Sequence, residues 1–167
     1  NRTHKHPFLP SVHLSKELQF TASLDDVAKY GDILVSAVPS QVVRKIFKTF
    51  PTGWVKPIIS VSKGIENLTG MRMSEVISET LEISSNHIII LSGPSHAEEV
   101  ARKYPTAIVA ACEDKKSAHK IQKLFSNEYF RVYASTDVVG VEFGGAAKNI
   151  IALAAGICNG LGFGDNT

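Results

Sequence analysis

The sequence predicts an α/β fold, in which an open parallel sheet with flanking helices is followed by one long apolar helix. The first observation is an alternation of short, β-branched apolar segments with amphipathic segments, which is typical of crossover units. The second is that the apolar segments lack two-residue alternation, as do strands buried on both faces. The third is that residues 139–160 are nearly free of charge and rich in Ala and Gly, which indicates a helix buried all round.

The elements follow one another in the order that such a sheet requires. After a polar N-terminal segment, the apolar segments predict strands at residues 32–38, 57–62, 87–92, 106–112 and 130–133. Apolar residues at helical spacing predict helices at residues 40–50, 71–81 and 114–125, and a further helix that runs to residue 103 after a turn at 93–95. Ser40 and Ser95 are expected to cap the helices that follow them.

Composition excludes several classes of function. With 18 basic and 16 acidic residues the net charge is +2, which is too balanced to indicate nucleic-acid binding. No apolar run approaches the roughly 20 residues of a membrane span and no secretory signal opens the chain, so we expect no transmembrane segment and a cytoplasmic location. The six histidines lack metal-ligand spacing, so no metal site is assigned. Cys112 and Cys158 are expected to be separate reduced thiols.

Three predicted strands end in distinctive loops, at residues 38–40, 62–64 and 92–95. Ligands of open parallel sheets bind beyond the carboxyl ends of the strands, where such loops converge. Pro39 and Pro94 stiffen two of these turns. A glycine such as Gly93 lets the backbone approach a ligand closely.

Two lysines are candidates for chemistry at this edge. Lys63 is about equally well interpreted as a solvated loop lysine or as a functional residue. Lys148 lies in a helical segment of Gly, Ala and Ile, with Glu142 as the nearby acidic residue. Its side chain could extend to solvent, but burial would lower its pKa and make it a usable general base, the interpretation that we favour.

Six segments in series resemble the NAD(P)-dependent glycerol-3-phosphate dehydrogenases, in their bacterial form. The segments are Val38-Pro39-Ser40, Ser62-Lys63-Gly64, Leu91-Ser92-Gly93-Pro94-Ser95, Phe130-Arg131-Val132-Tyr133, Gly144-Gly145-Ala146-Ala147-Lys148-Asn149 and Gly160-Leu161-Gly162-Phe163-Gly164-Asp165-Asn166. Each is weak by itself, but their order and spacing agree with the family over essentially the whole chain.

The resemblance implies a two-domain enzyme. Residues 1–137 would be part of a Rossmann-type dinucleotide-binding domain, and residues 138–167 would begin an all-helical substrate domain. The implied reaction is hydride transfer between NAD or NADP and dihydroxyacetone phosphate, which gives sn-glycerol 3-phosphate for phospholipid synthesis. The complete enzyme is expected to be a cytoplasmic homodimer.

The resemblance also implies roles for individual residues. Lys148 would be the catalytic proton-transfer lysine. Substrate contacts would come from Lys63, Gly93, Ser95, Lys148 and Asn149, and cofactor contacts from Lys63, Ala97, Val38 and Pro39. One small substrate must touch these groups, so we expect both ammonium groups to face one cleft with the Gly93 turn on its wall. We expect Lys148 to be the more buried of the two and therefore the one whose pKa is lowered.

The family's first strand and Gly-x-Gly-x-x-Gly turn would precede Asn1, and further substrate ligands would follow Thr167. We therefore expect an internal fragment that is inactive alone, binds dinucleotides poorly and aggregates through the unpaired edge of the strand at 32–38. Two alternatives stay open. One is a β-hydroxyacid or ketopantoate-type reductase of similar layout, against which the segment at residues 160–166 argues. The other is a non-catalytic fragment or binding module.

Overall fold

The computed structural model describes residues 5–6 and 9–164. The strands are β1 (Lys5–His6), β2 (Leu9–His13), β3 (Leu34–Ser36), β4 (Ile58–Ser60), β5 (Ile88–Ser92), β6 (Thr106–Ala111) and β7 (Phe130–Ser135). The helices are α1 (Leu24–Tyr30), α2 (Val43–Lys48), α3 (Met73–Leu81), α4 (Ala97–Ala101), α5 (Lys115–Phe125) and α6 (Val138–Gly160). The predicted α/β architecture is therefore confirmed, while β1 and β2 form a small antiparallel pair within a segment for which no strand was expected.

The main sheet has five strands in the order β3-β4-β5-β6-β7. All neighbouring pairs are parallel except β5 and β6, which are antiparallel. The prediction of a wholly parallel sheet is wrong at this one pair. The connecting helix α4 has only five residues, and at about 1.5 Å of rise per residue it is too short to carry the chain back to the opposite edge.

Both faces of the sheet are buried, as the lack of alternation in the strands indicated. One face packs against α2 and α3, and the other against α5. The first cluster includes Ile58, Ile88 and Ile90 with Val43, Phe47, Val76 and Ile77, and the second includes Ile59, Ile89 and Leu91 with Ala118 and Ile121. Side chains at successive positions of β4 and β5 thus enter opposite layers, which fixes the register of the sheet.

The helix starts differ from those predicted. Ser40 lies in a 3-10 turn, Ser40–Val42, and α2 begins only at Val43. Helix α4 begins at Ala97 with His96 at its N-cap position, and the Ser95 hydroxyl instead donates to the Gly93 carbonyl at 3.4 Å. Both capping predictions are therefore wrong, because a 3-10 turn places Val42 at the N-cap position of α2 and one further residue, His96, separates Ser95 from α4.

Helix α6 is not buried all round, contrary to the prediction. Val138 and Glu142 are its buried residues, and most of its apolar side chains beyond the first turns are exposed. The helix contacts β5 and β6 near its start and then extends past the sheet. By length and composition α6 is long and apolar enough to cross a membrane, although one such helix is weak evidence for a membrane span.

Candidate active site

The loops after β3 and β4 are joined at the carboxyl edge of the sheet. The Ser62 hydroxyl donates to the Val38 carbonyl at 2.5 Å. Gly64 packs so closely on Ser40 that an added Cβ would lie 2.6 Å from the Ser40 hydroxyl oxygen. A side chain at position 64 would therefore separate the loops, and glycine is required where Lys63 enters the site.

The turn after β5 is equally restricted. A Cβ on Gly93 would lie 2.8 Å from the Ile108 Cα, so only glycine allows this turn to rest on β6. The Gly93 carbonyl accepts a hydrogen bond from the Lys63 ammonium at 2.8 Å. Lys63, in the loop after β4, is thereby held against the turn after β5.

Helix α6 crosses this edge at Gly145. A Cβ added there would lie 2.9 Å from the Ser92 hydroxyl and 3.7 Å from the Lys63 Cγ. The absence of a side chain at Gly145 lets the helix backbone approach the end of β5. Lys148 follows three residues later, which places it about one helical turn further along the same region.

These elements enclose one open cleft of about 790 Å³. The predicted site residues among its lining are Lys63, Gly93, Ser95, Ala97 and Lys148. The structure thus brings together residues up to 85 positions apart, as a shared site requires. Their roles in binding and catalysis remain predictions.

The other predicted site residues lie outside the cleft lining. Val38 is linked to the site through the hydrogen bond from Ser62, and Pro39 follows it in the same loop. Asn149 is exposed beside Lys148 on α6 but does not line the cleft. Asp165 and Asn166, which belong to the last of the six resembling segments, lie outside the described residues.

The two lysines differ in burial, and the order is the reverse of the one expected from the sequence. Lys63 is half-buried, and its pKa is lowered, first by burial and second by the positive charge of Lys148. Lys148 is exposed in the cleft. The prediction that Lys148 is the more buried lysine is wrong, because Gly64 and the Gly93 turn pack around Lys63 while α6 extends outward past the sheet.

A buried ion pair next to this site had no predicted role. Glu142 of α6 has only 4% of its side chain exposed and contacts Arg72, at 2.8 Å, from the segment before α3. The argument applied to Lys148, that a charge on an apolar helix is costly, holds equally for Glu142 and could have identified it. Among residues 5–6 and 9–164 there is no group of three or more His, Cys, Asp or Glu side chains that could hold a metal ion.

Comparison with known proteins gives consistent matches along the chain. Residues 1–118 match the model for the NAD-dependent glycerol-3-phosphate dehydrogenase N-terminus, and residues 137–167 match that for the C-terminus. A glycerol-3-phosphate dehydrogenase [NAD(P)+] from Carboxydothermus hydrogenoformans is 49% identical over 96% of this chain and 48% of the relative. One from Listeria innocua is 45% identical over 99% of this chain and 50% of the relative. The chain spans about half the length of the curated relatives it matches.

Solved structures agree with these matches. The glycerol-3-phosphate dehydrogenase of Plasmodium falciparum superposes with a TM-score of 0.88 at 29% identity, over 99% of this chain and 47% of that one. The enzyme from Saccharomyces cerevisiae gives a TM-score of 0.81 at 32% identity, over 95% of this chain and 48% of that one. Fold and sequence therefore point to the same relatives.

Proposed function

The chain belongs to the NAD-dependent glycerol-3-phosphate dehydrogenase family, and we propose that the complete protein carrying it interconverts dihydroxyacetone phosphate and sn-glycerol 3-phosphate. The family implies NAD or NADP as the cofactor. The observation that carries the proposal is the single cleft on which Lys63, the Gly93 turn and Lys148 meet. We also propose that sn-glycerol 3-phosphate from this reaction is used in phospholipid synthesis. The complete protein is proposed to be a cytoplasmic homodimer.

The division into domains is also proposed. Residues 1–137 would form part of the dinucleotide-binding domain, and residues 138–167 would begin the helical substrate domain. The gap between the two matched family models, from residue 119 to 136, supports a boundary in this region. The outward course of α6 beyond the sheet supports it further, because its exposed apolar side chains suit contact with another domain.

The residues present fit the nicotinamide end of a dinucleotide. Such cofactors bind beyond the carboxyl ends of parallel strands, where the loops after β3, β4 and β5 converge here. We assign Lys63, Ala97, Val38 and Pro39 to this role. The first two line the cleft and the other two lie beside it, joined through Ser62. The bound nicotinamide would donate or accept the hydride.

The substrate would occupy the same cleft. Gly93 and Ser95 form its wall, and Asn149 lies next to Lys148 as a polar partner nearer the rim. As a ketone is reduced, negative charge develops on its oxygen, and the Lys148 ammonium is proposed to stabilise that charge and to donate the proton. In the reverse direction the Lys148 amine would accept a proton from the hydroxyl group. Lys63, held by the Gly93 carbonyl, adds positive charge that attracts a phosphorylated substrate.

The test is Lys148→Ala in the complete gene product that carries this sequence. We expect kcat for dihydroxyacetone phosphate to fall roughly 10²–10⁴-fold, the range for loss of a positioned acid–base group. The Kd for NADH or NADPH, measured by isothermal titration, should change little. Lys116→Ala, an exposed lysine on α5, is the matched control and should leave both quantities unchanged.

Three outcomes would contradict the proposal. A kcat that survives Lys148→Ala within a few-fold, with dinucleotide binding lost, would remove the assigned role of Lys148. Faster turnover of β-hydroxyacid or ketopantoate-type substrates than of dihydroxyacetone phosphate would assign the site to a different reductase. Absence of turnover on any of these substrates would favour a binding module.

A further inference from the structure

We propose that Glu142 is a positioning residue, which fixes the rotation of α6 about its axis through Arg72 and Ser74 and thereby aims Lys148 into the cleft. The inference rests on the proposed function, in which Lys148 transfers the proton. It assigns the reaction an additional residue that touches neither substrate nor cofactor. Its basis is the set of contacts that Glu142 makes and the direction in which they lie.

The Glu142 carboxylate is bound by three donors. One oxygen accepts the Ser74 backbone N–H at 2.8 Å. The other accepts the Ser74 hydroxyl at 2.5 Å and the Arg72 guanidinium at 2.8 Å. All three donors come from the first turn of α3 or the residue before it, so a side chain of α6 caps the N-terminus of another helix. Both oxygens of a buried charge are therefore fixed in direction.

The other contacts of α6 near the cleft are apolar or made by glycine. Val138 is buried in the core, Val141 packs against it, and Gly145 lies against Ser92. Val141, Gly144, Gly145 and Lys148 line the cleft. Residues 144–147 are Gly and Ala, which have no side chain or only a methyl group and so form no ridges that interlock with a neighbouring element. Apolar packing is also non-directional, whereas three hydrogen bonds to one carboxylate are directional. Glu142 therefore adds to this packing the directional contact that selects one rotation of the helix.

The geometry of a helix converts this restraint into the direction of Lys148. At about 3.6 residues per turn, six positions correspond to roughly 600°, so Lys148 projects about 240° around the axis from Glu142. When Glu142 points into the ion pair, Lys148 must point away from it, toward the side on which the cleft lies. A helix rotated by one residue, about 100°, would turn the ammonium out of the cleft.

The same ion pair also reaches the segment that carries Lys63. Arg72 forms an isolated antiparallel bridge with Ile65, which lies two residues after Lys63. Arg72 is therefore bonded through its backbone to the Lys63 loop and through its side chain to α6. The two lysines, which make no direct hydrogen bond, are placed relative to each other by this connection. A buried pair of this kind contributes little net stability but can specify one arrangement.

The test is Glu142→Gln, alone and combined with Lys148→Ala, in the complete gene product. The amide keeps the shape of the side chain but loses the charge, and its NH₂ group faces the donors of Arg72 and Ser74. We expect kcat to fall roughly 10-fold, within the ~10²-fold that a 1 Å misplacement can cost. The Kd of the dinucleotide should be unchanged. In the Lys148→Ala background the second change should lower kcat by less than about two-fold, because its effect passes through Lys148.

The control is Glu75→Gln. Glu75 lies on α3, is half-exposed, and accepts hydrogen bonds from the same guanidinium and from the Arg72 backbone N–H, each at 2.8 Å. A glutamine at this position can still cap α3. We expect kcat to remain within about two-fold of the value for the unaltered enzyme, because a half-exposed ion pair contributes little. If Glu142→Gln does not fold, Ser74→Ala removes one hydrogen bond to Glu142 and should lower kcat to a smaller extent, again only when Lys148 is present.

The outcomes separate this inference from the proposed function. An unchanged kcat in Glu142→Gln, or an equal loss with and without Lys148, would overturn the positioning role while leaving the lysine chemistry intact. An unchanged kcat in Lys148→Ala would instead overturn the proposed function. If Glu75→Gln lowers kcat as much as Glu142→Gln does, the loss comes from general disruption around Arg72, and the positioning role of Glu142 is wrong.

Discussion

At the scale of single residues, the candidate site is defined by two lysines in unlike surroundings. Lys63 is held by the Gly93 carbonyl, and burial together with the charge of Lys148 lowers its pKa. Because folding disfavours its charged form, Lys63 opposes folding at pH values below its lowered pKa. That penalty is relieved as the pH rises through this pKa toward the higher value of the unfolded chain. Lys148 remains exposed on the cleft.

The effect of one lysine on the other can be measured directly. Lys148→Ala should raise the pKa of Lys63, since it removes a neighbouring positive charge, but should leave that pKa below the ordinary value because burial is the larger cause. Titration of the Lys63 Cε resonance by NMR would show the shift, with Lys120→Ala on α5 as the control. A Lys63 pKa that does not move would place the two ammonium groups outside electrostatic reach of each other.

At the scale of elements, helix α2 is tied to the segment after β4 by a second ion pair. Arg44 contacts Glu66 at 2.9 Å and Glu79 of α3 at 3.2 Å. Hydrogen bonds from the Arg44 guanidinium, and next from the Thr69 hydroxyl, lower the pKa of the Glu66 carboxyl. Arg44 therefore joins α2, α3 and the polypeptide that leads from Lys63 to Arg72.

This ion pair predicts a pH dependence of stability. A carboxyl whose folded pKa is lowered stabilises the fold above its unfolded pKa, and that contribution is lost as the pH falls through the folded pKa. Glu66→Gln should therefore be less stable than the unaltered protein at pH 7, and the difference should shrink at acid pH. Urea unfolding followed by fluorescence of Trp54, at pH 7 and at successively lower pH, would test it.

The matched control for this measurement is Glu128→Gln, an exposed glutamate before β7. Its difference from the unaltered protein should be small and independent of pH, as for most surface substitutions. A Glu66→Gln difference that stays constant down to the acid transition would show that the Arg44 contact does not bias the protonation of Glu66.

At the scale of the whole molecule, the packed sheet contrasts with an exposed apolar helix. Ile150, Leu153 and Ile157 lie at helical spacing along one side of α6, and Leu161 at its C-cap continues the series. Each has 61–70% of its surface exposed. In the main sheet of the described residues, β3 pairs only with β4, and Val35 is 46% exposed. Exposed apolar stripes and unpaired strand edges both favour association.

We expect the 167-residue chain by itself to self-associate through the exposed apolar side of α6 as well as through the unpaired edge of β3 that the sequence indicated. The double variant Leu153→Gln/Ile157→Gln should lower the apparent mass in size-exclusion chromatography with light scattering and reduce binding of the dye ANS. Leu68→Gln, which alters an isolated loop side chain that is 98% exposed, should change neither. A monodisperse monomer before substitution, or association unaffected by the double variant, would contradict this prediction.

The sequence by itself determined the strands of the main sheet, most of the helices and the family, but not β1, β2 or α1. Apolar β-branched segments predicted all five strands of the main sheet within a few residues, because burial on both faces requires them. Helices α3 and α5 were found from apolar spacing, which is also a local property. The loops that carry Lys63 and Gly93 were placed at strand ends, and their convergence followed from the geometry of parallel sheets.

Only the tertiary structure decided which charges are buried and what they contact. Composition predicted that α6 is buried throughout, yet the helix extends past the sheet. It also predicted that Lys148 is the more buried lysine, yet Lys63 is half-buried and Lys148 is exposed. The antiparallel pairing of β5 with β6 depends on the path of a short connection rather than on either strand. The contact of Glu142 with Arg72 joins residues 70 positions apart. The local sequence determines backbone preferences and the spacing of apolar residues. The burial of charged side chains and the pairing of strands depend on contacts between distant segments, which form only when the chain folds.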